Sequence, residues 1–173
     1  DCKSAGSAFG GSNPSLATAN EKPHQAVGFF GKNRKGGVLT EIEFTTRKWV
    51  RPEDLNANGT LFGGSLLKWI DEEATIYAIL QLGNRRVVTK IISEINFVSS
   101  AIEGDLIEMG LLATKFGTTS ITMRAAVRNM VTKKNILTVD HIVFVGLDKE
   151  GKPLPHGYNS VSTDRDRIPQ EHS

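Results

Sequence analysis

The sequence predicts an α+β domain in which one long central helix is wrapped by a five-stranded antiparallel sheet. Three observations predict this fold class. One long stretch, residues 61–82, carries apolar side chains at helical spacing. One strand-like run precedes this stretch, and four follow it. Short turns separate the four later runs, with no second long helix between them, so hairpins that join antiparallel neighbours are favoured over parallel crossovers.

The strands and the helix follow from local sequence patterns. The first strand is predicted from Ile42, Phe44 and Thr46, which alternate with polar or charged neighbours. A loop at residues 51–60 is rich in turn-forming residues. The helix of residues 61–82 is roughly 30 Å long, and Gly83 is a typical signal for its C-terminal end. The later strands are predicted at residues 87–98, 105–115, 120–131 and 136–147.

Length and composition indicate one domain. At 173 residues the chain is long enough to enclose one sizeable hydrophobic core. Two domains in this length would each have only a small core. The predicted domain spans residues 38–157, between a Gly-rich flexible leader at 1–37 and a polar tail at 158–173. The sequence begins with Asp1 rather than Met, so the question whether a targeting segment has been removed stays open.

Charge and cysteine content restrict the partners. The net charge of +2 is too small to indicate nucleic-acid binding. No stretch approaches the roughly 18 consecutive apolar residues of a membrane span. The single cysteine, Cys2, excludes an intramolecular disulfide and a multi-cysteine zinc site, and it fits a reducing compartment. We therefore expect a cytoplasmic protein without a nucleic-acid or membrane partner.

Asp71 is the candidate catalytic residue. On a helical wheel it shares a stripe of mostly small side chains with Gly64, Ala74 and Ala78, at the border with the polar side. A carboxylate beside apolar neighbours needs a partner or a function, because removing a charge from water is costly. Small neighbours also leave room for another backbone or a thin ligand. A structural role stays open, since the helix dipole favours acidic residues in the first half of a helix.

Gly63 and Gly64 open the predicted helix, where the first N–H groups have no acceptor within the helix and could bind an oxyanion. Thr60 or Asn58 could cap the same groups instead. Asp71 lies about 10.5 Å further along the axis, whereas a base and an oxyanion hole must both lie within about 3 Å of the reacting atoms. One helix cannot easily supply both. We therefore predict a site shared between protomers, in which Asp71 of one chain faces residues 56–64 of another.

The chain resembles a known family through several separated motifs. The run RPEDLNANGTLFGG at residues 51–64, followed by Asp71-Glu72, is similar to the hotdog-fold acyl-CoA thioesterases. Within them it resembles the bacterial acyl-CoA hydrolases that are related to eukaryotic cytosolic acyl-CoA hydrolases. The resemblance covers residues 40–157. The other matching motifs are Arg86-Val87-Val88-Thr89, Ile95-Asn96-Phe97, Gly104-Asp105, Gly117-Thr118-Thr119-Ser120, and Phe144-Val145-Gly146-Leu147-Asp148 with Gly151-Lys152-Pro153.

The resemblance implies a fold, an assembly and an activity. The fold is a helix wrapped in a five-stranded antiparallel sheet. The assembly is a homodimer whose two sheets join, commonly arranged as a trimer of dimers. The activity is hydrolysis of acyl-CoA to a free carboxylic acid and CoA. No metal and no cofactor are implied, since CoA is part of the substrate and an activated thioester needs only a positioned water, a base and a polarised carbonyl.

The resemblance also assigns roles to residues. Asp71 matches the catalytic acidic residue, and Asn56 matches a loop asparagine that orients water or the thioester. Whether Asp71 acts as a general base or as a nucleophile stays open. Ser99-Ser100 stands where many relatives have Arg-Pro, so one phosphate contact of the family is in question. The substrate-binding candidates are Asn58, Gly63, Gly64, Arg86, Gly117, Thr118, Thr119 and Ser120.

Two rival functions are weighed against the hydrolase. A hotdog dehydratase would need a histidine with an acidic partner. His141 is the one histidine within a predicted strand, and it is better explained as a core or interface residue. The other rival is a non-catalytic sensor that binds acyl-CoA on the same fold. A sensor could retain Asp71, so thiol release is the observation that separates it from an enzyme.

Overall fold

The computed structural model describes residues 41–162 and Arg167. In this part of the chain a 20-residue helix, α1, packs against one face of an antiparallel sheet, and the predicted α+β fold class is confirmed. The predicted leader at 1–37 lies outside the described residues, as does the tail apart from 158–162 and Arg167, so the domain boundaries stay predictions. The elements are β1 (Glu43–Trp49), α1 (Gly63–Leu82), β2 (Val87–Ile92), β3 (Ile95–Phe97), β4 (Leu106–Phe116), β5 (Ser120–Asn129) and β6 (Asn135–Gly146), with a short 3-10 turn at Pro52–Asp54 before α1.

The sheet has the strand order β1-β4-β5-β6-β2, and β3 also pairs with β6. β2 pairs with the second half of β6 and β3 with its first half. The single strand predicted at 87–98 is thus divided. At the break, the Ser93 N–H donates to the His141 carbonyl over 2.8 Å, and the His141 N–H donates to the Ser93 hydroxyl oxygen over 3.0 Å. The sheet therefore has five strand positions, and two short strands share one of them.

The packing of α1 follows from its apolar spacing. Leu66, Ile70, Ala74 and Ala78 recur every fourth residue and are all buried, because positions four apart share one face of a helix. Ala74 and Ala78 are fully buried, and side chains this small allow close packing of a helix against a sheet. The helix ends where predicted, at Gly83, whose φ of 60° is the left-handed conformation that glycine adopts without steric cost.

Two carboxylates project from opposite flanks of α1. Asp71 and Glu73 are two residues apart, which turns the helix by about 200°. The Thr89 hydroxyl on β2 donates to Asp71 Oδ1 over 2.8 Å. The Thr46 hydroxyl on β1 donates to Glu73 Oε2 over 2.7 Å. Because β1 and β2 are the outer strands, α1 is joined to each side of the sheet by one threonine.

Candidate active site

Asp71 lies in the middle of α1 on the flank that faces β2. The residue is half-buried, and the hydrogen bond from Thr89 engages its Oδ1 atom. The ion pairs identified within residues 41–162 and at Arg167 involve other side chains. A carboxylate oriented through one oxygen, with the other available to water, can accept a proton or attack a carbonyl carbon.

The opposite flank provides a comparison. Glu73 is also half-buried and also accepts a threonine hydroxyl. It borders an open cavity of about 210 Å³ between α1 and β1, where the side chains of Tyr77 and Met109 contribute to the wall. Burial raises the pKa of Tyr77, so its hydroxyl stays protonated at neutral pH. Glu73 is therefore a matched control for substitutions of Asp71, because its carboxylate also accepts a threonine hydroxyl but lies on the other side of the helix.

The loop before α1 is organised by Asn56. Its Oδ1 accepts the backbone N–H of Asn58 over 2.9 Å and that of Thr60 over 3.3 Å. Its Nδ2 donates to the Thr60 hydroxyl oxygen over 2.9 Å. An amide nitrogen carries two hydrogens, and one remains for water or a carbonyl oxygen. The side chain of Asn58 is exposed at the tip of this loop.

The first turn of α1 opens onto a cavity of about 290 Å³. Phe62 precedes the helix and supplies no side-chain cap, so the N–H groups of Gly63 and Gly64 are not satisfied by the preceding side chain. A Cβ at Gly63 would lie 3.2 Å from the Phe97 ring, which shows how closely the helix start approaches that side chain. The cavity is lined by Leu61, Gly63, Leu66, Phe97, Val98, Ser99, Ser100, Ala101 and Ile136.

The turn at residues 117–120 lies beside Arg86, near the other end of α1. Gly146 connects them: its N–H donates to the Thr119 carbonyl over 2.9 Å, and it is the register partner of Val87. The next residue, Leu147, donates to the Arg86 carbonyl over 2.7 Å. A Cβ at Gly117 would lie 2.5 Å from the Ser120 hydroxyl oxygen, so a larger residue here would force the Ser120 side chain to rotate. Arg86 and Thr118 are exposed.

The predicted site residues therefore fall into three groups within one chain. Asn56, Asn58, Gly63 and Gly64 lie at the start of α1, and Asp71 follows roughly 10.5 Å further along the axis. The third group is Arg86 with the turn at 117–120, near the C-terminal end of α1. One chain does not bring the three groups to a single point.

Comparisons with known proteins identify the family. The sequence model described as the thioesterase superfamily matches residues 58–135, which include α1 and Asp71. The acyl-CoA thioester hydrolase YciA of Salmonella typhimurium is 30% identical over 119 residues, 65% of this chain and 89% of that protein. This chain belongs to the hotdog-fold acyl-CoA thioesterases. A further relative in this family is the uncharacterized acyl-CoA thioester hydrolase YkhA of Bacillus subtilis, 31% identical over 109 residues. That match covers 61% of this chain and 63% of YkhA, so the chain spans less than two thirds of that relative's length.

Solved acyl-CoA thioesterases share the fold. A hexameric acyl-CoA thioesterase superposes with a TM-score of 0.61 at 31% identity, covering 70% of this chain and 79% of the other. An acyl-CoA hydrolase of Staphylococcus aureus, solved with butyryl-CoA, CoA and CoA disulfide, gives a TM-score of 0.61 at 30% identity, covering 69% and 71%. The Staphylococcus aureus enzyme is also known as three single variants, in which an aspartate, an asparagine or a threonine is replaced by alanine.

Sequence reasoning missed three features of the candidate site. Thr89 was part of a recognised motif but received no role, since its contact with Asp71 depends on how β2 aligns with α1. Phe97 and Ser100 line the cavity at the helix start, where they share its wall with Gly63 and Leu66. His156 contacts the turn at 117–120, and the sequence predicted no role for it. No sequence signal would have singled out these tertiary contacts.

His141 is exposed in the single chain, so it is not a core residue, and the interface alternative stays a prediction.

Within residues 41–162 and Arg167, no group of three or more His, Cys, Asp or Glu side chains could hold a metal ion. No helix in this described part has the length and apolarity needed to cross a membrane.

Proposed function

We propose that the protein hydrolyses acyl-CoA thioesters to a free carboxylic acid and CoA, with Asp71 activating the attacking water. The observation that carries this proposal is the Thr89-oriented Asp71 carboxylate on α1, inside the segment matched by the thioesterase superfamily. The residue types replaced in the Staphylococcus aureus variants, Asp, Asn and Thr, are those of Asp71, Asn56 and Thr89. The names of the relatives are names of hydrolases, which does not favour the sensor alternative.

In the proposed mechanism the Asp71 carboxylate takes a proton from water as the water oxygen attacks the thioester carbon. The carbonyl oxygen becomes an oxyanion, which accepts hydrogen bonds from the N–H groups of Gly63 and Gly64 at a helix start. Collapse of the tetrahedral intermediate breaks the C–S bond and releases CoA as a thiolate. The thiolate takes up the proton, and the acyl group leaves as a carboxylic acid. Asn56 uses its remaining amide N–H to orient the water or the thioester.

A nucleophilic role for Asp71 gives a different isotope pattern. If Asp71 attacked the carbonyl, an anhydride would form and an oxygen of the side chain could end in the product. After a single turnover in ¹⁸O-labelled water, label found in the Asp71 carboxyl group identifies the anhydride route. Direct attack by water places one labelled oxygen in the released acid. The anhydride route leaves the label in the Asp71 carboxyl group when water attacks at that carbon.

We also propose that the complete site forms between two copies of the chain. The roughly 10.5 Å between Asp71 and the helix start is too long for both to serve one carbonyl group. The outer edge formed by β2 and β3 carries several large apolar side chains that are between 38% and 57% exposed, which is unusual for a surface that only meets water. A second copy that extends the sheet at this edge would cover them. These side chains are Val88, Ile91, Ile92, Phe97 and Val98.

Larger assembly and substrate contacts are part of the same proposal. A solved relative is a hexamer, which supports a trimer of dimers as the form to test. Arg86, Thr118, Thr119 and their turn partners are proposed to bind the nucleotide half of CoA, since cationic and N–H donors suit phosphate oxygens. A cytoplasmic location stays a proposal that subcellular fractionation can test.

A panel of thioesters from acetyl-CoA to palmitoyl-CoA, scored by released thiol, tests the activity. We expect hydrolysis of at least part of the series, with the profile reporting the usable acyl length. Tight binding of CoA or acyl-CoA without any thiol release would contradict the hydrolase and favour the sensor. If the panel shows no binding and no thiol release, the result would contradict both the hydrolase and the sensor.

A further inference from the structure

We infer that His156 is a positioning residue for the turn at 117–120, and that it thereby sets how tightly the protein holds the nucleotide half of its substrate. This inference rests on the proposed function, because it gives that turn a role in binding CoA. His156 follows the last strand and belongs to a segment that returns over the end of the sheet. The contacts of its imidazole ring carry the inference.

The ring of His156 is held in one neutral tautomer. Its Nδ1 atom lies 3.1 Å from the backbone nitrogen of Tyr158, and a backbone N–H group can only donate. Nδ1 therefore accepts this hydrogen bond and carries no proton. In a neutral imidazole the other nitrogen then carries the proton, so Nε2–H donates to the Ser120 carbonyl oxygen over 3.3 Å.

The backbone of His156 contacts the same turn. Its N–H donates to the Thr118 carbonyl over 3.2 Å, while the N–H of Gly146 donates to the Thr119 carbonyl over 2.9 Å. The carbonyl groups of residues 118, 119 and 120 thus all accept hydrogen bonds, and that of Ser120 also accepts the N–H of Gly117 over 2.8 Å. In a trans peptide the C=O and N–H groups point in opposite directions, so the Thr119 N–H points away from His156.

The resulting turn has the chemistry of a phosphate contact. The outward Thr119 N–H and the hydroxyl groups of Thr118 and Thr119 are hydrogen-bond donors within one turn, and the bonds to its carbonyl groups hold the backbone of that turn. The ring that fixes them is itself fixed, since it lies edge-on to Phe116 at 6.1 Å and stacks on Tyr158 at 6.0 Å between ring centroids. The Arg167 guanidinium covers Tyr158 at 4.1 Å from its centroid. The Nε2–H of His156 is therefore directed at the turn.

Three substitutions separate the two ring nitrogens. His156→Gln keeps a donor near the position of Nε2, His156→Asn keeps an acceptor near that of Nδ1, and His156→Leu keeps neither. The test compares kcat and KM for two substrates. One is an acyl-CoA that the wild type hydrolyses, and the other carries the same acyl group on pantetheine, which lacks the nucleotide. The Asn and Leu variants should raise KM for acyl-CoA about threefold to tenfold, the effect of losing one hydrogen bond, with kcat unchanged. KM for the pantetheine thioester should not change, and the Gln variant should approach the wild type.

The outcomes distinguish this inference from the proposed function. Equal changes with both thioesters, or a Gln variant as impaired as the Leu variant, would overturn the inference. Long-range ¹H–¹⁵N spectra of the ring should show Nε2–H, and an Nδ1–H tautomer would overturn it even if every variant unfolded. Calorimetric titration with CoA itself keeps the two proposals apart. A Kd for CoA that depends on His156, without thiol release by the wild type, would contradict only the hydrolase.

Discussion

The Thr89 hydroxyl donates to Asp71 Oδ1 over 2.8 Å, which joins the middle of α1 to the outer strand β2. The Thr46 hydroxyl makes the equivalent contact with Glu73 on the other side of the helix, over 2.7 Å. The Thr89–Asp71 pair lies on the flank of α1 where we propose catalysis, and the Thr46–Glu73 pair lies on the opposite flank. The two pairs therefore allow a role in positioning the catalytic carboxylate to be separated from a role in stability.

We predict that Thr89→Val lowers kcat by about 10-fold to 100-fold, because the Thr89 hydroxyl orients the proposed base, and a positioned base contributes about 100-fold to 10,000-fold to the rate. Thr46→Val removes the same type of bond on the Glu73 flank and should leave kcat unchanged. Both variants should lose about 1 kcal/mol of unfolding free energy. Steady-state kinetics and urea unfolding measure the two effects. If Thr89→Val and Thr46→Val have the same kcat, the result would contradict a role for Thr89 in positioning Asp71.

We predict that Ile91→Lys disrupts the dimer, because a lysine on the joined edge would place a charge in an apolar interface. Ile91 is 50% exposed in the single chain. Val131→Lys is the control, since Val131 is 73% exposed in the turn after β5, away from that edge. Sedimentation velocity should give a smaller species for Ile91→Lys, together with loss of thiol release. A monomeric wild type, or an Ile91→Lys variant that keeps the wild-type mass, would argue against this edge.

Mixing two inactive chains tests whether the site is shared. Asp71→Ala and Asn56→Ala chains are each expected to be inactive alone. Random pairing gives half heterodimers, and each heterodimer has one intact site of two, so about one quarter of wild-type activity should return. Co-expression with two affinity tags provides the mixed sample. No recovery in purified heterodimers would indicate that Asp71 and Asn56 act from the same chain.

Glu108 on β4 predicts a specific dependence of stability on pH. Its side chain is 5% exposed, and it accepts hydrogen bonds from Arg128 Nε at 2.6 Å and Lys133 Nζ at 2.9 Å. Burial acts to raise the pKa of Glu108, but the hydrogen bonds and charges of Lys133 and Arg128 outweigh it, so the pKa lies below its ordinary value. A lowered folded-state pKa stabilises the fold above the unfolded pKa of about 4.3, and this contribution is lost as the pH falls through the folded value.

We therefore expect Glu108→Gln to lower the free energy of unfolding by about 2 kcal/mol at neutral pH. The difference from wild type should shrink as the pH falls from about 5 towards about 3. Urea unfolding over that range measures it. Glu103→Gln is the control, because Glu103 is exposed and a surface substitution should change stability by no more than about 0.5 kcal/mol at any pH. A constant difference for Glu108→Gln across the pH range would contradict this account.

Local sequence patterns were sufficient to predict the central helix and most of the strands. Alternation in β1, helical spacing in α1 and a glycine at the helix end each depend on neighbours along the chain, so these features could be predicted. The break between β2 and β3 could not. It depends on Ser93 bonding to His141 across the sheet, 48 residues apart in sequence. The helix begins at Gly63 rather than Leu61, because Leu61 pairs with Leu55 in the preceding loop.

The candidate site could be predicted only in part. Asp71 follows from its unusual place on an apolar helix, and the glycines at 63 and 64 follow from the chemistry of a helix start. Thr89 and His156 act through contacts over long sequence separations, where strand register and a returning segment decide which atoms meet. A single sequence carries little information about such contacts.

The most direct test compares Asp71→Asn with Glu73→Gln in the thiol-release assay. Each substitution removes a charge from a half-buried carboxylate that accepts a threonine hydroxyl, and the two lie two residues apart on α1. We predict that Asp71→Asn lowers kcat at least about 100-fold with a nearly unchanged melting temperature, whereas Glu73→Gln keeps a wild-type kcat. Wild-type turnover by a folded Asp71→Asn variant would contradict the central claim.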